Sequence, residues 1–445
     1  MNLANVSLAI AGLFATTLPA GCAETENPGA DGQDTSGGDT IQPVAPPMID
    51  MLWVIDSSPS MCAEQRDLAL SFPGFVAELT KTGDVDLRVA VTSTDVLCDN
   101  DSVYIFATQG NFNTVGATQF PPPCQERRER LCMDDAACAN MDCVVRGECA
   151  ADDPDCTCAG ELGEWFCRHP GSDACQTNPN GSVNSFCRRG CATDEDCRQL
   201  FGAEDYLCQK PSHNTGDWGC MAPPATVGCP ASVPPVLDST NLDLFRCAVT
   251  VQINQEKCKK YEQGMSAALM ALEPDGPNGA QATGFLRDGA WLVVVFVSDE
   301  GDCSVAPGRT IDEVDYERCW FLPTTDDGGP LLPVAEVAAR LRALRPDPGK
   351  VIVAAIGGDS LATDPAQVAA DRQAFQASLL GAELCYQQST ICGGDNQAAT
   401  WAPRTQALAA AFGDRGVFTN ICNDAGLAPA LGQIAAAIAG LTAGR

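Results

Sequence analysis

Met51-Leu-Trp-Val-Ile-Asp-Ser-Ser-Pro-Ser60 is the stretch on which the fold turns. Five apolar residues run without a break into Asp56, a pattern suited to a strand covered on both faces, as in a parallel sheet. Residues 62–80 then suit a helix, and Leu87-Arg-Val-Ala-Val-Thr92 suits a second strand. Far downstream, Trp291-Leu-Val-Val-Val-Phe-Val297 ends at Ser298-Asp299, and Val351-Ile-Val-Ala-Ala-Ile356 has the same texture. Amphipathic stretches lie between and after these strands. In 256–272, Tyr261, Met265, Ala268, Leu269 and Leu272 fall near one face. In 333–345, Val334, Val337, Ala338, Leu341 and Leu344 do so, with Pro333 opening the helix and Pro346 closing it. A last helix over about 428–441 turns Leu431, Ile434, Ile438 and Leu441 inward. Buried strands alternating with helices predict an α/β fold, a doubly wound and mostly parallel sheet.

The pattern breaks over residues 121–235. Fifteen cysteines, Cys124 to Cys229, lie there among Asp, Gly, Pro and Asn, with hardly any aliphatic run. So polar a segment lacks a hydrophobic core and needs cross-links to hold a shape. It reads as a disulfide-rich, loop-dominated insert dividing the α/β domain into a first part, 49–120, and a second, 236–445. Cys132-x5-Cys138-x4-Cys143 and Cys187-x3-Cys191-x5-Cys197 are loosely alike within it. Zinc is the competing account. It is disfavoured because His169 and His213 are the only histidines and no repeated C-x2-C pairs occur at finger spacing.

The formal charge of −31 opposes binding to nucleic acid or to anionic lipid, since it adds repulsion. Arg127, Arg128 and Arg130, and Arg188 and Arg189, are runs too small to make a basic face. Residues 6–18, VSLAIAGLFATTL, have the length of a secretory h-region and are too short to span a bilayer. The Pro19-Ala-Gly-Cys22 that follows resembles a bacterial lipoprotein signal, with Pro19 where leucine is usual and no Lys or Arg before the apolar run. The resemblance implies a signal peptide over 1–22 and lipidation of Cys22, which would tie the chain to a membrane. Residues 23–48 are Gly-, Asp-, Thr- and Pro-rich, a disordered acidic linker with a reach of about 25–30 Å.

Setting Cys22 aside leaves 24 of the 25 cysteines, an even number suited to pairing, and export shifts their reading from metal ligands to disulfides. The insert holds fifteen and the α/β part nine, both odd, so full pairing needs at least one bridge between the two. Cys247 is a plausible partner on the α/β side. These features place the chain in the cell envelope, at the outer membrane or cell surface, with the periplasm as the alternative.

Asp56-Ser-Ser58-Pro-Ser60 closes the first buried strand, and ligands of open α/β sheets bind at such strand ends. One carboxylate and two hydroxyls directed to one point suit a hard divalent cation, Mg2+ or Ca2+. Asp299 ends another buried strand and could face the same point. Glu300 and Asp302 follow it, and a solvated acidic loop is their simplest reading. Gly358-Asp-Ser-Leu361 matches a serine-hydrolase signature, but that chemistry needs a downstream histidine and both histidines lie upstream. H-E-x-x-H, G-x-S-x-G and G-x-x-x-x-G-K-[ST] do not occur.

At these residues the chain resembles a von Willebrand factor type A domain over about 49–100 and 240–445. In that family D-x-S-x-S, a threonine from a later loop and an aspartate after the fourth strand form a metal-ion-dependent adhesion site. Asp56, Ser58, Ser60 and Asp299 match. The threonine does not, since none occurs between Thr250 and Thr283; Thr250 is the nearest candidate and Asn254 a possible replacement. Val-Phe-Val-Ser-Asp-Glu-Gly-Asp-Cys-Ser (295–304), Tyr-Glu-Gln-Gly (261–264) and Ala-Pro-Arg (402–404) are similar to stretches of surface lipoproteins of myxobacterial type. The resemblance implies a non-enzymatic adhesion protein whose cation, with one position open, takes an Asp or Glu carboxylate of a protein ligand. The alternatives are a metal-assisted hydrolase of the cell envelope and a structural envelope component with a degenerate metal site.

Overall fold

Five apolar strands build one parallel sheet: β1 (Met48–Ile55), β2 (Asp86–Ser93), β3 (Trp291–Val297), β4 (Val351–Gly357) and β5 (Gly416–Asn420), in the order β5-β4-β3-β1-β2. The computed structural model describes residues 45–96, 108–114, 124–125, 127–131, 165–167, 186–189, 191–201, 207–209, 219–222, 229–251, 262–380, 391–393, 398–423 and 426–443. Cys22, Asn254, His169 and His213 lie outside them. Contacts divide the chain into Met1–Ala45 and Pro46–Arg445, and every described element belongs to the second unit.

Alternation along each strand sends side chains to two separate cores. Ile49, Met51, Trp53 and Ile55 of β1 pack on one face with Leu68, Phe72, Phe75 and Leu79 of helix α1 (Cys62–Leu79). Leu52 and Val54 face the opposite way, onto Met265, Leu269 and Leu272 of helix α2 (Gly264–Leu272). Helix α3 (Val334–Ala343) joins the second face. Helix α4 (Pro365–Leu380) lies beyond it in the chain, and helix α5 (Pro403–Ala411) also covers the second face. Helix α6 (Ala428–Ala443) returns to the first, against α1. Trp53 anchors the first core edge-on to Phe75 and Phe245, at centroid distances of 5.5 and 5.3 Å.

The strands differ from the sequence reading in small ways. β1 begins at Met48, inside the stretch expected as linker, and the expected 256–272 helix begins at Gly264 among the described residues. The segment from Cys229 belongs with the main sheet, earlier than the expected boundary at 235. Val233 packs in the first core, and Leu237 exchanges backbone hydrogen bonds of 2.7 and 2.8 Å with Val89 on the edge strand β2. That contact, with Asn113 N donating to Val91 O, covers an edge that would otherwise expose unpaired backbone. Described parts of the insert form two three-stranded antiparallel sheets and the short helix Asp194–Phe201.

Five disulfides join described cysteines: Cys191–Cys208, Cys197–Cys220, Cys229–Cys247, Cys303–Cys319 and Cys392–Cys422. Cys229–Cys247 is the bridge between the insert's end and the α/β part. So many bridges indicate an oxidising compartment. No helix among the described residues is long and apolar enough to cross a membrane.

The lower end of β1 carries a buried charge. Asp50 is fully buried and accepts from Arg287 Nε at 2.7 Å, Arg287 N at 2.7 Å and Arg345 Nη2 at 2.6 Å. Arg287 also donates to the carbonyls of Ile49 and Asp86, and so ties β1, β2 and the approach to β3 at one knot. Removing one partner of a buried pair leaves the others uncompensated, so Asp50→Ala should lower unfolding free energy by about 3–5 kcal/mol, read from denaturant midpoints. Replacing Cys229 and Cys247 together by serine opens a loop spanning 18 residues of sequence and should destabilise by about 3 kcal/mol in the same assay.

Candidate metal centre

Register sets the site. Ile55 pairs with Ser93 on one side and Val297 on the other, so the residues that follow β1, β2 and β3 emerge at one level. Asp56 N donates to Val297 O, Thr94 N to Ile55 O and Ser298 N to Ile356 O, at 3.0 to 3.1 Å. The chain runs from β1 outward to β2 and then crosses to β3 on the other side of β1. The β1/β3 boundary is therefore the point where the winding reverses, and open α/β sheets place ligands outside the strand ends there.

Asp56 is fully buried and well held. Its Oδ1 accepts from Ser58 N at 2.7 Å, its Oδ2 from Ser298 Oγ at 2.6 Å, and Gln65 Nε2 of α1 donates to its carbonyl at 2.7 Å. Ser58 and Ser60 bring their hydroxyls to 2.8 Å of one another, and both remain partly exposed. Asp299 is 4 % exposed. Its main chain is pinned from both sides, N donating to Met61 Sδ at 3.2 Å and O accepting from Thr400 N at 2.8 Å. Its carboxyl reaches hydrogen-bonding range of Ser60 and Asp56, yet Oδ1 is buried with no hydrogen-bond partner. The structure thus brings Asp56, Ser58, Ser60 and Asp299 together. Thr250 is not joined to them among the described residues: its Oγ1 donates to Arg246 O at 3.0 Å, within its own turn.

Two further buried carboxylates were not anticipated, Glu64 of α1, 3 % exposed, and Glu262. Glu262, in the loop entering α2, is 9 % exposed and accepts a short hydrogen bond from Thr94 Oγ1. Cys303 N donates to its carbonyl at 2.6 Å, and Gln263 N donates to Thr94 O, so the loop is fixed between the ends of β2 and β3. In the sequence Glu262 resembles an acid placed to favour a helix N-terminus. Its one distinguishing signal is the strongly apolar helix directly after it.

Burial raises the carboxyls of Asp56, Asp299 and Glu262, the last two well above their usual range. The charges acting on Asp299 are those of Asp56, Glu300 and Glu64, and those acting on Glu262 belong to Asp56, Asp95 and Glu300, so repulsion adds to desolvation. Two carboxylates in contact and out of water require a shared proton or a cation between them. The orphaned Asp299 oxygen, the hydroxyl pair and the excess negative charge fit a hard cation with oxygen ligands. Asp56, Ser58, Ser60 and Asp299 are the residues that would hold it.

The loop after Asp299 departs from the solvated reading. Asp302 is buried, accepts from Met265 N at 2.9 Å and pairs with the buried Arg404 at 3.3 Å. Cys303 is bridged to Cys319, and a Cβ on Gly301 would collide with the Trp320 indole. The 295–304 and 402–404 stretches are therefore one brace behind Asp299. Asp359 and Ser360 are likewise held structurally, Asp359 by Arg372 and by Gln406 Nε2 at 3.0 Å, and Ser360 by Asp371. Elsewhere Cys191, Cys197 and Cys220 gather three sulfurs within 4.8 Å, a geometry open to a metal only as thiolates; here all three belong to disulfides. No protein-family model matches the chain, and no curated protein is similar to it.

Raised carboxyls carry a signed consequence. A carboxyl whose pKa is higher folded than unfolded contributes stability that is present below the unfolded value and lost as pH rises through the folded one. In chelator, Asp299→Asn should therefore be more stable than wild type at neutral pH, with the difference shrinking toward about pH 4, the unfolded carboxylate range. Melting temperatures measured across that span check it; a difference that does not change with pH would refute the charge account.

Proposed function

We propose that the chain is an exported binding protein of the cell envelope, anchored by lipid on Cys22, that engages a protein partner through Mg2+ or Ca2+ at the strand-end site. The single observation carrying this reading is the buried Asp299 Oδ1, without a hydrogen-bond partner and set beside the Asp56 carboxyl where the winding reverses. The likeness of Asp56, Ser58, Ser60 and Asp299 to the metal-ion-dependent adhesion site of von Willebrand factor type A domains supports it, as does the oxidising compartment that the disulfides indicate. An outer-membrane or surface position, with residues 23–48 as spacer, would present the site to partners outside the membrane. The protein acts here by binding, without turnover.

Calorimetry with Mg2+ and with Ca2+ should give saturable binding to wild type and none to Asp56→Ala. Equal absence of binding in both proteins would sink the reading.

A further inference from the structure

The residues of the proposed site come from two strand ends, and one side chain joins them directly. Ser58 and Ser60 follow β1, and Asp299 follows β3. Met61 stands next to Ser60, and the Asp299 N–H donates to its thioether sulfur at 3.2 Å. Met61 is fully buried and belongs to the first core. Its own N–H donates to Ser58 O at 3.2 Å, closing the turn that carries both serines. The backbone of Met61 therefore fixes the serine turn while its side chain reaches across to the other strand end.

We infer that Met61 is a positioning residue of the cation site, its sulfur holding Asp299 within reach of Ser60 so that the two strand ends present their oxygens together; this rests on the cation reading above. A leucine would fill nearly the same apolar volume, so what the sulfur adds is an acceptor, although a weak one. The N–H it serves is buried, since Asp299 is 4 % exposed. A buried N–H deprived of its acceptor is costly. Without the sulfur, Asp299 would keep only its carbonyl bond to Thr400 N, at 2.8 Å, and would pivot on it, carrying its carboxyl away from Ser60. The role is separable from packing. A packing contribution alone changes stability equally with and without the ion and leaves ion affinity as it was. A positioning contribution lowers affinity, because the ordering of Asp299 is then charged to binding.

The test is calorimetry with Mg2+ and with Ca2+ on the full chain, as wild type, Met61→Leu, Met51→Leu and Asp56→Ala, joined to amide hydrogen exchange of the ion-free proteins. Met51 is fully buried in the same core, on β1, and its replacement controls for the loss of a thioether as such. Met61→Leu should bind each ion about fivefold more weakly than wild type, the equilibrium equivalent of one hydrogen bond. Met51→Leu should bind as wild type does. Exchange at the Asp299 amide should be faster in Met61→Leu and unchanged in Met51→Leu.

If Asp56→Ala binds ions as wild type does, or if neither binds, the site falls and the role of Met61 with it. If Asp56→Ala loses binding while Met61→Leu keeps wild-type affinity, the role of Met61 is overturned and the site stands. Should Met61→Leu fail to fold, the chain is made with norleucine in place of methionine, which keeps the unbranched shape and removes the sulfur. Wild-type affinity in that protein overturns the inference, and a loss comparable to that expected of Met61→Leu upholds it.

Discussion

The central strand carries a buried acid at each end, and the two are treated in opposite ways. Asp50, near the start of β1, and Asp56, just past its end, are both fully removed from solvent. Two guanidiniums meet Asp50, from Arg287 and Arg345. Asp56 meets hydroxyls, a backbone N–H and a second carboxyl, and no ion pair reaches it among the described residues. A buried carboxylate without a counter-charge is unstable in a low-dielectric interior. The lower end therefore closes the fold with the chain's own cations, whereas the upper end leaves room for a charge from outside.

That asymmetry explains the care with which Asp299 is positioned. Main-chain contacts to Met61 and Thr400 fix its backbone, while the Asp302–Arg404 pair, the Cys303–Cys319 bridge and the Gly301–Trp320 contact stiffen the loop behind it. Each restraint comes from a different part of the chain, so Asp299 cannot swing away from Asp56 to relieve repulsion. Ligands to a cation work best when held in place before it arrives, because the ordering free energy is then not charged to binding.

Much of this was legible in the sequence because strands buried on both faces leave unbroken apolar runs. β1, β3 and β4 show it, and Asp56, Ser58, Ser60 and Asp299 are marked by their place at the ends of such runs. β5 is an edge strand of five residues, Gly-Val-Phe-Thr-Asn, four of them half-buried, and its register with β4 alone identifies it. Thr250 was suggested by its place in the chain, but its hydroxyl bonds four residues back, to Arg246 O. Glu262 left little trace beyond the apolar helix that follows it, because its environment is assembled by Thr94, 168 residues away, and by the loop after β3. The solvated reading of Asp302 failed for the same reason, since its partner Arg404 lies 102 residues further on.

Access to the site bears on which ion it suits. Asp56 and Asp299 are buried, whereas Ser58, Ser60, Ser298 and Glu300 are partly exposed, so an ion reaches the carboxylates past a rim of hydroxyls and one acid. On that path it must give up much of its water before the carboxylates replace it. Magnesium dehydrates reluctantly and usually keeps several waters, whereas calcium exchanges water for carboxylate and hydroxyl oxygens with less geometric demand. The burial that makes the metal-free carboxylates repel one another is thus what a cation of either kind would relieve.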